Sequence, residues 1–202
     1  MYLYKLVRIP RKIRMFIYIV YNRLYYKMNN VKIGNNFRVF TKTYLLKDPT
    51  AIITIGDNFL FTNGESYNPL CRNIRGAIYA QPNAVITIGN NVGLSSVCIW
   101  SNKSITIGDN VLIGGDSILL DTDAHSLDYR IRRNINFDGK LSQSSPIIIE
   151  DDVLIGTRCI VLKGVTIGAR SIIGSGSIVT KSIPQDCIAA GNPCRVVKFI
   201  NE

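Results

Sequence analysis

From Ile149 to Val179 an aliphatic residue stands at every sixth position: Ile149, Ile155, Val161, Ile167, Ile173 and Val179. Four residues after each comes a second small or apolar one, Val153, Cys159, Val165, Ser171, Ser177 and Ile183. A helix repeats near 3.6 residues and a flat strand near 2, so neither fits. A period of six predicts one short strand and one turn per repeat. Three repeats then close a triangular coil of about eighteen residues, and coils stack through parallel hydrogen bonds at about 4.8 Å. The expected fold is all-β: a left-handed parallel β-helix of hexapeptide repeats, an exception to the right-handed crossover rule. Gly156, Gly168 and Gly174 follow their aliphatic slots, as expected of tight corners where φ turns positive.

Upstream, Ile107, Ile113 and Leu119 hold the same phase, with Val111 and Ser117 as companions. Weaker echoes are Ile88-Gly89 with Leu94, Ile55-Gly56 with Phe61, and Ile33-Gly34 with Val39 and Leu45. Their phases do not join, so insertions must bulge at corners, and residues 63–75 and 76–82 are the expected irregular stretches. The pattern predicts roughly seven coils between residues 31 and 184. Residues 1–30 form a separate N-terminal segment and residues 185–202 a C-terminal tail.

Charge separates the ends. Residues 1–47 hold eleven Lys/Arg and no acid, whereas the remainder holds thirteen basic residues against fourteen acidic. The net +10 therefore belongs to one end and does not describe a nucleic-acid-binding surface. Six of the ten tyrosines lie in residues 1–30, where Pro10 can open a helix and Asn29-Asn30 can close it. Two readings of this segment stay open. It caps the open end of the β-helix, or it lies on an anionic membrane as a basic amphipathic helix. Its longest apolar run, residues 15–21, is seven residues against the ~20 needed to span a bilayer. No export signal is apparent, which points to a cytoplasmic protein, peripheral at most on the inner face of the plasma membrane. Cys71, Cys98, Cys159, Cys187 and Cys194 are scattered without a CxxC pair and read as reduced packing residues.

The single histidine, His125, falls on the next slot after Ile107, Ile113 and Leu119, where Ile or Val is due. Asp121, Asp123 and Asp128 flank it, and residues 121–146 read as an excursion from the prism, with Asp138-Gly139 and Ser144-Ser145-Pro146 as turn signals. Ile131 and Phe137 keep the six-residue phase, so a further coil here stays formally open. A histidine at a break in the repeat is a candidate functional residue. One histidine and dispersed cysteines do not supply the three protein ligands of a catalytic zinc, so no metal is expected.

DTDAHSLDYRIRR, the clean repeats through IGSGSIVTKSIP, and GNPCRVVK together resemble the hexapeptide-repeat acetyltransferases, over residues from about 85 to 200. The galactoside, maltose and xenobiotic acetyltransferases are among these, and the DTDxH form is most similar to capsule and exopolysaccharide O-acetyltransferases. The resemblance implies a homotrimer binding acetyl-CoA as co-substrate between neighbouring prisms, with a sugar or glycan acceptor. His125 would be the general base and the Thr157 amide the oxyanion donor. Gly174, Ser175, Thr180, Lys181, Arg195 and Lys198 would meet the coenzyme, the cations its phosphates. Leu154 departs from the family's frequent Trp. On the acceptor side, Ser95 and Ser96 match a polar contact, Asp121 is a further candidate contact, and Tyr129, Arg130, Arg132 and Arg133 are candidates to grip a sugar or its diphosphate. Asp123 is favoured over Asp121 to orient the imidazole, though either could instead cap a turn. Amino-sugar N-acetylation and a non-catalytic trimeric scaffold are the competing readings.

Overall fold

The computed structural model describes residues 9–64, 67–71 and 74–200. The six-residue rhythm becomes three parallel sheets wrapped as a left-handed triangular prism. The first face stacks Lys32–Ile33, Ile52–Ile55, Val85–Ile88, Ser104–Ile107, Ile147–Ile149 and Thr166–Ile167. The second stacks Arg38–Phe40, Leu60–Thr62, Gly93–Ser95, Leu112–Ile113, Leu154–Ile155 and Ile172–Ile173. The third stacks Tyr44–Lys47, Ala77–Ala80, Cys98–Ser101, Ile118–Leu120, Ile160–Leu162 and Ile178–Val179. Six coils are complete, against the seven expected. A seventh is only begun, by Ile183 bridged to Ile167 and by Cys187–Gly191 beside Ile172–Ile173. The residues expected as a tail therefore continue the second face, and Cys194–Phe199 folds back on it antiparallel.

The aliphatic slots are the registers. Ile33, Ile55, Ile88, Ile107, Ile149 and Ile167 form one vertical column. Val39, Phe61, Leu94, Ile113, Ile155 and Ile173 form the second. Each column thus stacks apolar side chains against the same position above and below, which fixes register because a one-residue slip would turn the column outward. The stretch 76–82, expected to be irregular, contains the regular strand Ala77–Ala80 with Ile78 in the third column. The insertion before it, around Asn63, had broken the phase. Buried Asn63 closes that insertion, donating to Phe40 O (3.2 Å) and accepting from Gly76 N (2.8 Å).

The corner glycines are required for a different reason from the one expected. Gly156 does not have positive φ; a Cβ there would lie 2.6 Å from Ser175 N of the next coil. Positive φ falls two residues later, at Arg158 (56°), and on the first face at Asn58, Asn91 and Asn110. Asparagine tolerates the left-handed region because its short amide hydrogen-bonds locally. Here those amides form a ladder up the corner, Asn58 Nδ2 donating to Asn91 Oδ1 and Asn91 Nδ2 to Asn110 Oδ1, both at 2.9 Å.

Helix α1, Ile9–Met28, covers the first coil. Of the N-terminal segment, Tyr2, Tyr4, Lys5 and Arg8 lie outside the described residues. Tyr26 is fully buried against Phe37, with ring centroids 5.0 Å apart, and its hydroxyl meets Thr43 Oγ1 at 2.8 Å. Asn22, also buried, donates to Val39 O (3.0 Å) in the strand and to Thr41 O (2.7 Å) just past its end, carbonyls that would otherwise face the helix unpaired. Leaving a buried carbonyl unpaired costs about 1–3 kcal/mol. Asn22→Leu should accordingly destabilise the fold by about 2 kcal/mol or more, seen as a lowered thermal midpoint. An unchanged midpoint would mean that these two carbonyls need no cap.

Candidate active site

The chain leaves the prism after Leu120 and rejoins it at Ile147, so Ile149, not His125, fills the slot due after Leu119. His125 stands on the excursion with its side chain 68% exposed. Ile131 and Phe137 likewise belong to the excursion and form no coil. Asp121 makes the exit. Its wholly buried carboxylate accepts from Ser101 Oγ (2.7 Å), Asn102 N (2.7 Å) and Lys103 N (2.9 Å), pinning the departing chain to the coil below. Asp121 is therefore spent on structure and is removed from the expected acceptor contacts.

Asp123 does not orient the histidine either. Its Oδ2 lies 3.2 Å from Lys163 Nζ. The partner is Asp138, whose Oδ2 is 2.6 Å from His125 Nδ1 while Oδ1 accepts from Ser126 N at 2.8 Å. Both bonds favour the charged form: His125 first, then the Ser126 amide, hold the Asp138 carboxyl below the usual carboxylate range. Sequence proximity favoured Asp123, and within a loop without period the only signal for Asp138 was the Asp-Gly pair, read as a turn. The loop is braced by Arg132 Nη1, which donates to Ser126 O at 2.7 Å, and by the short helix α2, Tyr129–Arg132, capped by Asp128. Arg130 pairs with Asp128 at 2.9 Å. Tyr129, Arg132 and Arg133 line a hollow of about 300 Å³.

A groove of about 390 Å³ runs up the second face. Its apolar wall includes Leu60, Leu112 and Leu154, so leucine serves where an aromatic wall was the alternative. Its polar edge is the corner bearing Ser95, Thr157 and Ser175. The Thr157 amide is not free there, since it donates to Ser175 Oγ at 3.2 Å. Gly174 lies beneath, and a Cβ on it would sit 2.9 Å from Ala190 Cβ. Ser95 Oγ, within 3.1 Å of Thr62 Oγ1, faces the groove. Ser96 does not: it is buried, with φ of 45°, and its hydroxyl donates to Ile74 O at 2.8 Å. Arg195 and Lys198 are exposed on the strand that extends this face. Thr180 and Lys181 are exposed on another corner, after Ile178–Val179. One chain thus brings Ser95, Thr157, Gly174 and Ser175 together and leaves His125, Thr180 and Lys181 outside that groove.

A second cleft, of about 470 Å³, opens between the excursion and the prism, lined by Gln81, Trp100, Asn102, Ala124 and Lys140 among others. Trp100 packs on Tyr79 with centroids 5.2 Å apart, making an aromatic shelf, and Ala124, the residue before His125, lines the same cleft. Nothing in the spacing marks this shelf, because outward strand positions carry no periodic signal.

Residues 104–119 and 146–181 match the family model for the hexapeptide repeat of succinyl-transferase. A galactoside O-acetyltransferase of Escherichia coli (strain K12) is 37% identical over 131 residues, 61% of this chain and 62% of that protein. A 2,3,4,5-tetrahydropyridine-2,6-dicarboxylate N-acetyltransferase of Staphylococcus aureus (strain Newman) is 48% identical over 59 residues, 29% of this chain and 25% of that protein. Among solved structures, a hexapeptide-repeat-containing acetyltransferase of Vibrio cholerae O1 biovar eltor, complexed with acetyl coenzyme A, superposes with a TM-score of 0.51 at 29% identity, covering 78% of this chain and 72% of that one. The chain spans less than two thirds of the length of these curated relatives. The six-residue columns, the corner glycines and the matched repeats agree: the chain carries the hexapeptide repeat and is similar to the hexapeptide-repeat acetyltransferases.

Proposed function

We propose that this protein is an acetyl-CoA-dependent O-acetyltransferase of a sugar hydroxyl on a cell-surface polysaccharide or its precursor. The observation that carries the reading is the exposed imidazole held through Nδ1 by Asp138. With Asp138 ionised, Nδ1 keeps its proton and Nε2 presents a lone pair. A sugar hydroxyl is a poor nucleophile until a base takes its proton. Nε2 removes that proton as the oxygen attacks the thioester carbonyl; the C–S bond then breaks, and the imidazolium returns the proton to the coenzyme thiolate. Developing charge on the carbonyl oxygen is met by the Ser175 hydroxyl, whose oxygen the Thr157 N–H holds in place. The pantetheine arm lies along the second-face groove, while Arg195 and Lys198 on the strand extending that face, and Lys181 from a neighbouring copy, meet phosphates. His125 does not line its own chain's groove, so the reading requires a neighbouring copy to supply it, as in a homotrimer with the site between prisms. The Trp100–Tyr79 shelf gives a sugar ring an apolar face to stack on, with Asn102 and Lys140 as hydrogen-bond donors. Acetyl-CoA as co-substrate places the reaction on the cytoplasmic side.

Incubating the protein with acetyl-CoA and a panel of sugars, nucleotide sugars and lipid-linked sugars tests the reading through thiol release and product mass. A product acetyl group labile to mild alkali is an ester and supports it. An alkali-stable one is an amide, the outcome of amino-sugar N-acetylation; the Staphylococcus aureus relative is likewise named an N-acetyltransferase, though of a dicarboxylate. No thiol release with any acceptor favours the scaffold reading. Lys181→Ala with Arg195→Ala should weaken acetyl-CoA binding about tenfold by calorimetry without changing oligomeric mass, since both cations lie outside the core. Unchanged affinity would make them surface charge.

A further inference from the structure

We propose that helix α1 docks the protein on an anionic lipid surface, its outer stripe entering the headgroup boundary while the prism stays in water. The inference is independent of the reaction assigned above. Ile13, Phe16, Ile17, Val20, Leu24 and Met28 are each between 43% and 81% exposed. At 3.6 residues per turn they fall within an arc of about 120° and extend over about 22 Å of helix. The residues that seat the helix, Asn22 and Tyr26, lie on the opposite side. So α1 has two faces: one spent on capping, the other exposed among the described residues. A contiguous apolar stripe of this size on an exposed helix marks an interaction site.

Charge selects the occupant. Arg14 and Arg23 flank the stripe, Lys27 falls within its last turn, and the first acidic residue of the chain is Asp48. Pairing the stripe with the same stripe of a second copy would set these cations against one another. An anionic bilayer meets both features, apolar side chains in the acyl boundary and cations at headgroup level. Tyr21, 43% exposed and with Lys42 Nζ 6.0 Å from its ring, suits that depth. Among the described residues no helix is long and apolar enough to cross a membrane, so α1 lies on the surface. In a cyclic trimer three such helices share one level, and their weak individual affinities multiply.

Deleting residues 1–30 would also remove Asn22 and Tyr26, so point variants are the cleaner test. The full chain is floated with vesicles of phosphatidylcholine alone and of equal phosphatidylcholine and phosphatidylglycerol. It should float with the anionic vesicles, release partly at high salt, and ignore the zwitterionic ones. Phe16→Gln with Leu24→Gln should lower partitioning at least tenfold while circular dichroism and oligomeric mass stay unchanged. Arg23→Gln with Lys27→Gln should weaken it and flatten its salt dependence. Failure to float, or flotation indifferent to Phe16→Gln with Leu24→Gln, overturns the proposal. So does a change in oligomeric mass in that variant, which would make the stripe a contact between copies.

Discussion

His125→Ala is expected to lower turnover by about 100-fold or more, the usual contribution of a positioned general base. Acetyl-CoA affinity should hardly change, because the imidazole is assigned to the acceptor proton and does not line the coenzyme groove of its own chain. The fold should survive as well: the side chain is 68% exposed, and Asp138 keeps its bond from the Ser126 amide. The split is the diagnostic part. Turnover is read by thiol release with a verified acceptor and coenzyme binding by calorimetry. Near-normal turnover would remove His125 from the chemistry. A joint loss of affinity and turnover would mean that it holds the coenzyme instead.

How legible this molecule was from its sequence depended on periodicity. Where six-residue phase is unbroken, from Ile149 to Val179, column, face and register follow from spacing alone, because each slot must bury one aliphatic side chain. Where an insertion breaks phase, as before Ala77–Ala80, a regular strand is mistaken for a loop. The site is harder still. His125 stood out by being unique and by its break with the repeat, although its apparent slot was a coincidence of counting. Asp138 is thirteen positions away, in a loop whose path is set by Asp121 and Arg132 rather than by pattern. Asp121 and Ser96 looked like polar groups available to a ligand, yet both are buried and saturated by backbone partners that only the fold brings near. Helix α1 divides the same way. Its seated face was legible as a cap, but which face remains exposed depends on where Asn22 finds its carbonyls.

Asp138→Asn should cost about 100-fold or more in turnover, although it is nearly isosteric. The carboxylate can only accept, so it holds the proton on His125 Nδ1 and leaves Nε2 as the base. An asparagine amide also accepts the Ser126 N–H through its oxygen, which turns its NH₂ toward the ring. Nδ1 must then accept, the proton moves to Nε2, and the base is lost to the wrong tautomer. Asp138→Ala imposes no tautomer, so it should retain more activity than Asp138→Asn despite removing more contacts. A positioning role confined to holding the loop predicts the reverse order, with the smaller side chain worse. The pH dependence separates the groups further. The Asp138 pKa is depressed in the folded protein, so its contribution to loop order is complete above the unfolded carboxylate value of about 4 and is lost only as pH falls through the lower folded value. Across neutral pH the wild-type loop should therefore stay ordered. If Asp138→Asn matches the wild type in turnover, or Asp138→Ala is the more damaged of the two, tautomer control by Asp138 is wrong.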